Sequence, residues 1–133
     1  MTTELLARGG IMSKIKISGM LKNITDNEIN EFTTTAIKQK DKYKFIVNDE
    51  KYIITIIAPN KIIMNRNNNE IEQTMYFETN KTISSIYTLK ENNITINIDV
   101  LTNEIELTEN SIKILYTIID SNISYEYNIE MSE

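Results

Sequence analysis

From Lys14 onward, apolar residues recur at every second position in short runs, and each run is cut by a polar break rich in Asn or Asp. Period-two alternation places one row of side chains on each face of an extended chain, so the pattern predicts strands. The runs are Lys14–Asn23, Glu28–Lys38, Tyr43–Val47, Tyr52–Ala58, Lys61–Arg66, Glu70–Glu78, Thr82–Leu89, a long run opening at Ile94, Ile112–Asp120 and Ile123–Met131. Ile94-x-Ile96-x-Ile98-x-Val100 is the cleanest alternation, but Ile105 and Leu107 continue it on the opposite parity. A parity switch without a full turn predicts a bulge or a barrel corner at Leu101–Asn103. Asn stands at most breaks where hairpins usually carry Gly, and it is the next-best residue at positive φ. Short connections make successive strands antiparallel neighbours. About ten such strands imply a sandwich or a barrel, and closure removes the edges that bare isoleucines would otherwise leave exposed. The fold class expected is all-β: an antiparallel up-and-down, lipocalin-like barrel of about eight to ten strands, occupying residues 14–133 as a single domain.

Residues 1–13 stand apart as a leader, a covering segment or a tag, since Met12 directly precedes the first strand and is a plausible second start. Tyr52-Ile53-Ile54-Thr55-Ile56-Ile57 is apolar on both faces, so its outer side needs cover. Leu5, Leu6, Ile11 and Met12, with a short helix over Thr3–Arg8, are one source of that cover. A homodimer through Tyr52–Ile57 is the other, and the favoured one.

The second half also carries a recognisable set of anchors: Met75-x-Phe77-Glu78, Ser85-Ile86-Tyr87, Ile96-x-Ile98-x-Val100-x-Thr102-x-x-Ile105, Ile112-x-Ile114-x-Tyr116-x-Ile118 and Asn128-Ile129-Glu130. Glu31-Phe32-Thr33-Thr34 and the strand-end Arg66 extend the set. In these positions the chain resembles the YwiB-like bacterial family. The resemblance covers most of Lys14–Glu133 and implies a calycin-like barrel in a bacterial cytosol, with no established activity. Departures fall at turns. Ala36 stands where the family has Gly, Asn68 where its Arg-x-Gly ends, Lys90-Glu91-Asn92 at its Pro-x-Gly turn, and the acidic loop near Asn48–Lys51 is shorter.

Composition narrows the chemistry. There is no Cys and no His among the 133 residues, so thiolate nucleophiles, His-based triads and the usual zinc ligands are excluded. No cofactor and no metal is expected. The net charge of −5 without a basic stripe opposes nucleic-acid and anionic-membrane binding. No apolar run is long enough for a membrane span or a signal peptide, which makes the cytoplasm the default. The four Asn-x-Ser/Thr triplets, at Asn23, Asn80, Asn93 and Asn122, read as chance in a chain so rich in Asn.

Arg66 is the best single candidate for function. Every other cation from Met12 onward is Lys, and Arg66 continues the inward parity of Ile62 and Met64. A guanidinium there needs an acceptor, which a structural glutamate supplies more readily than a ligand. Gln73, Met75, Phe77, Tyr87 and Tyr116 share the expected cavity, with Tyr125 and Tyr127 beside them, although such aromatics also serve simply as core. The carboxylates Glu31, Glu72, Glu78 and Glu106 are the candidates for an acid–base pair, but most should face solvent. The expected function is a non-enzymatic binder of a small apolar or amphipathic ligand entering near Arg66. The alternative is a protein-interaction module with a side-chain-filled barrel.

Overall fold

The computed structural model describes the backbone of residues 3–7 and 10–132, and side chains from Met12 to Ser132. Eleven strands follow in chain order: β1 (Thr3–Ala7), β2 (Gly10–Asn23), β3 (Glu28–Gln39), β4 (Lys42–Val47), β5 (Glu50–Ala58), β6 (Lys61–Asn67), β7 (Ile71–Glu78), β8 (Thr82–Leu89), β9 (Ile94–Thr108), β10 (Ser111–Ile118) and β11 (Ile123–Ser132). Strands β2 to β11 form a closed, all-antiparallel ten-stranded barrel. Every pairing joins chain neighbours except β11–β2, where Tyr125–Ser132 run against Lys16–Asn23 and seal the wall. No described helix is long and apolar enough to cross a membrane.

The ten alternating runs are the ten barrel strands. Where a short helix was expected over Thr3–Arg8, Thr3–Ala7 instead form strand β1, pairing with the start of β2; Arg8 lies outside the described residues. Five residues cannot build a stable helix of their own, whereas the free edge of β2 beyond its β11 pairing offers a template for backbone hydrogen bonds. The parity switch is also present. Leu115 pairs with Glu104 but Tyr116 pairs with Thr102, so Asn103 is the extra residue of a bulge and returns Ile105 and Leu107 to the interior.

Asparagine makes the turns. Asn27, Asn48, Asn80, Asn93 and Asn122 all have positive φ, as do Lys40 and Asp49. Asn48 and Asp49 are consecutive at φ 50° and 66°, the requirement of a tight two-residue hairpin. The upper end of the barrel carries the turns after β2, β4, β6, β8 and β10; the lower end carries those after β3, β5, β7 and β9.

The middle of the interior is packed solid. Ile17, Ile54, Ile62, Phe77, Val100, Ile112, Ile114 and Ile129 are sealed from solvent and come from opposite walls. Burying each such side chain contributes about 1.5–3 kcal/mol, which makes this the main source of stability. Gly19 has a specific reason to be Gly. It pairs with Phe32, and an ideal Cβ there would lie 2.0 Å from the Phe32 ring. The ring occupies the space that any larger residue would need, then stacks on Phe45 at 5.8 Å, and Phe45 on Tyr52 at 5.1 Å.

Two ladders loosen. β7 pairs with β8 only over Ile71–Thr74, and below that the buried Ser85 hydroxyl accepts the Tyr76 N–H at 3.3 Å. β3 pairs with β4 only over Ile37–Gln39, and higher up the Thr34 hydroxyl donates to the Ile46 carbonyl at 3.1 Å. In both places a side chain bonds a peptide group that lacks its ladder partner, and at the part-buried Tyr76 N–H burial makes that bond a requirement.

Candidate functional site

Six inward side chains stand on one level of the upper barrel as successive cross-strand partners: Phe45, Tyr52, Arg66, Gln73, Tyr87 and Ile96. The next level down on the same wall is Tyr43, Ile54, Met64 and Met75, and below it Ile56, Ile62 and Phe77. The wall therefore grades from fully apolar to mixed over two steps, with Arg66 at the transition. Among the residues expected to share a site, Arg66, Gln73 and Tyr87 are adjacent on this level. Met75 and Phe77 lie beneath them, buried in the core. Tyr116 comes from the opposite wall, stacked on Tyr125 at 5.2 Å and tilted against Phe77 at 5.0 Å.

Arg66 has a glutamate partner, and it is Glu50. The Arg66 Nε lies 3.7 Å from a Glu50 carboxylate oxygen, too far for a hydrogen bond. Glu50 is instead held by the Tyr52 hydroxyl, which donates at 3.1 Å, and by the Asn68 amide, which donates at 3.0 Å. The Arg66 Nε is buried without a hydrogen-bond acceptor, and so is the Tyr127 hydroxyl. Burial pushes the Tyr116 and Tyr127 phenols well above the usual tyrosine range, opposed in both by the Arg66 charge. Burial also raises Tyr52, with Glu50 adding to the rise and Arg66 opposing it. The Arg66 charge thus opposes the rise of phenols carried by β5, β10 and β11.

Glu50 was not singled out by sequence reasoning, although a signal existed: it shares the even, inward parity of Tyr52, Ile54 and Ile56. The four candidate carboxylates do not assemble into an acid–base pair. Glu31, Glu72 and Glu106 are exposed on different strands. Glu78 pairs with Lys81 at 2.7 Å and Lys61 at 3.4 Å, and the hydrogen bond from Lys81 holds its carboxyl below the ordinary glutamate value. Among the described residues, no group of three acidic side chains could hold a metal ion.

The two mouths differ. The lower one carries an open concavity of about 750 Å³ lined by charges of both signs, with Lys38 and Lys40 beside Asp41 and Glu109. The upper one sets exposed isoleucines among polar turn residues such as Asp26, Asn48, Asn69 and Glu91. Ile24, Ile94, Ile96 and Ile119 sit at or next to upper turns and are exposed, and Ile94 and Ile96 belong to the inward face of β9 yet are 46% and 45% exposed. Below this rim the inward residues Gln73, Tyr87, Ile98 and Tyr125 are half-buried, so the upper lumen is a cup whose floor is the sealed core.

These features define a closed ten-stranded antiparallel barrel with a tyrosine- and arginine-bearing upper cup. Neither family models nor curated proteins give a match to the chain. Among solved structures, it is similar to the crystal structure of the ywiB protein from Bacillus subtilis, with a TM-score of 0.70 and 16% identity over 91% of this chain and 92% of that one. The likeness is one of fold, and it agrees with the resemblance carried by the strand-face anchors.

Proposed function

We propose that the barrel is a non-enzymatic binder of a small amphipathic molecule, held in the upper cup with an anionic or strongly accepting group against Arg66. The observation that carries this reading is the pair of buried, unsatisfied donors, Arg66 Nε and Tyr127 Oη, facing one lumen. Leaving a buried donor unpaired costs about 1–3 kcal/mol, which an acceptor group brought in by a ligand would recover. Glu50 neutralises part of the guanidinium but leaves Nε without a hydrogen bond. The apolar part of the ligand would rest on Tyr87, Ile96, Ile98 and Tyr125 and enter past the exposed isoleucines of the rim. A cup of this kind, apolar with a few aimed polar groups, is the usual form of a small-molecule site. The wide, mixed-charge lower mouth offers no comparable convergence.

The probe is anilinonaphthalene sulfonate, a planar apolar anion that fluoresces when sheltered from water. Wild-type protein should bind it saturably at one site. Arg66→Gln keeps the length and polarity of the side chain but removes the charge, and should weaken binding by about tenfold or more, the scale of one charge-assisted hydrogen bond. Tyr127→Phe should weaken it less. Absence of saturable binding, or equal binding by Arg66→Gln with an unchanged circular dichroism spectrum, would refute the assignment.

A further inference from the structure

Strand β9 outruns its neighbour β10 at the upper end and leaves a stretch of uncharged edge. The β9–β10 ladder stops at Val100 and Ile118, and one further bond runs from the Ile119 N–H to the Asp99 carbonyl at 3.0 Å. Peptide groups alternate sides along a strand, so those of Asn97 and Thr95 point the same way as that of Asp99. Among the described residues they have no backbone partner on that side. On its other side β9 is paired to β8 from Ile94 to Leu101. The sequence from Asn92 to Ile98 reads Asn-Asn-Ile-Thr-Ile-Asn-Ile and holds no charge. Ile94 and Ile96 are exposed on the inward face, Thr95 and Asn97 on the outward face, and Ile119 is exposed where the ladder ends. Two other stretches that outrun a neighbour carry charge: Glu28–Thr33 of β3 holds Glu28 and Glu31, and Asn103–Thr108 of β9 holds Glu104 and Glu106. Charges on an edge oppose the addition of a further strand, and their absence over Ile94–Ile98 leaves that edge open to one. β5, by contrast, is paired on both sides from Lys51 to Thr55, so its outward Ile53 offers no edge.

We infer that a second copy of this chain adds its own β9 to this edge, antiparallel and about a two-fold axis at Thr95. That axis sets Thr95 against the partner's Thr95, where the two exchange both N–H···O=C bonds. It sets Ile94 against the partner's Ile96, and the same pair forms a second time by symmetry. Opposed residues share a face of the sheet, so isoleucine meets isoleucine on the inward side and threonine meets threonine outside. An isologous interface requires a segment complementary to its own rotated image, and Ile-Thr-Ile reads alike in both directions. The overlap ends with Asn97 against the partner's Asn93, short of Ile119 and the β10–β11 turn. Glu91, Asp99 and Asp120 lie beyond the paired segment, and each copy brings its Glu91 toward the acids of the other. These ends repel, so the backbone bonds and the isoleucines supply the affinity. Lys90, next to Glu91, is turned toward the β6–β7 loop, where it bonds the Asn67 side chain and the Asn68 carbonyl. Each copy has this edge once, so the assembly closes at two. Nothing in the pairing requires a ligand in the cup.

Sedimentation equilibrium of the full chain tests it, with hydrogen exchange at the Thr95 amide as the local readout. Wild type should be a dimer that tightens with added salt, as screening relieves the acidic ends. The Thr95 amide should exchange more slowly as the dimer forms. Thr95 is exposed, so Thr95→Lys and Thr95→Glu should fold, which circular dichroism verifies. Each sets like charges opposite one another across the axis and should weaken association by about tenfold or more. An equimolar mixture of the two sets Lys against Glu and should recover the dimer. Thr95→Pro removes the N–H that reaches the partner and none that the barrel ladder uses, and should give a folded monomer. The assignment is overturned by a wild-type monomer or a species larger than a dimer, by a dimer indifferent to Thr95→Lys and Thr95→Glu, by a mixture no better than the separate variants, or by a Thr95 amide that exchanges alike in monomer and dimer.

Discussion

Replacing Gly19 by Ala is a sharp test of how the upper lumen is built. The new methyl carbon would fall 2.0, 2.2 and 2.8 Å from three ring carbons of Phe32, against an ordinary carbon contact of about 3.5–4.0 Å. The ring must therefore retreat by about 1.5 Å, and its stack on Phe45 at 5.8 Å goes with it. Overpacking of this kind costs about 1–3 kcal/mol and a lost aromatic stack about 0.5–1.5. Alanine recovers about 0.5–1 kcal/mol through the strand entropy that glycine forfeits. The Phe32 ring is only half-buried and has the upper mouth to move into, so the net loss should be about 1–2 kcal/mol. Urea unfolding followed by circular dichroism reads this as a lower midpoint at constant slope. The sign in a second background is the decisive part. With Phe32→Leu already present the obstruction is gone, and adding Gly19→Ala should be neutral or stabilising. If Gly19→Ala alone is as stable as wild type, or if the Phe32→Leu background leaves its cost unchanged, the ring-over-glycine account is wrong.

Other consequences can be checked with the same measurements. Ser85→Ala leaves the Tyr76 N–H without its acceptor and should cost about 1–2 kcal/mol in urea unfolding, with faster hydrogen exchange at Tyr76. Asn48→Ala places a Cβ in the left-handed region at φ 50° and should destabilise by about 1–2 kcal/mol, whereas Asn48→Gly should be harmless. Tyr116 and Tyr127 have their phenol pKa values raised in the folded state, so their protonated forms are favoured by folding. That contribution is complete below the unfolded tyrosine value of about 10 and is lost as pH rises above it. Ultraviolet absorbance should show these two phenols ionising only together with alkaline unfolding; smooth titration of all seven tyrosines in a folded barrel would contradict their burial.

Much of the wall was legible because period two assigns every side chain to a face. The apolar parity switch located the Asn103 bulge, and asparagine at the breaks marked turns that the backbone makes at positive φ. The interior row of Arg66, Gln73 and Tyr87 followed from the same parity. What alternation cannot encode is which strands meet across a lumen. Tyr116 and Tyr127 come under the Arg66 charge from the far wall, a matter of barrel radius rather than of local spacing. The Glu50 partner was hidden for a different reason: it lies at the first position of its strand, where a turn and a strand look alike. The loosened β7–β8 and β3–β4 ladders were invisible because hydrogen-bond pairing leaves no trace in hydropathy. β1 was missed because a short apolar pair suits a helix turn as well as an edge strand.

The single seam between β2 and β11 has a consequence for how the molecule comes into being. Nine of the ten wall pairings join ribbons that are adjacent in the chain, so each can zip up as soon as its own hairpin exists. The tenth brings Lys16–Asn23 against Tyr125–Ser132, segments separated by nearly the whole length of the polypeptide. In a chain still being made, Lys16–Asn23 of β2 would therefore lack their β11 partner until the last strand emerges. Protection of β2 amides should lag behind that of β5 and β6 in pulse-labelled refolding, because loop closure over so long a span is the slow, entropically costly step.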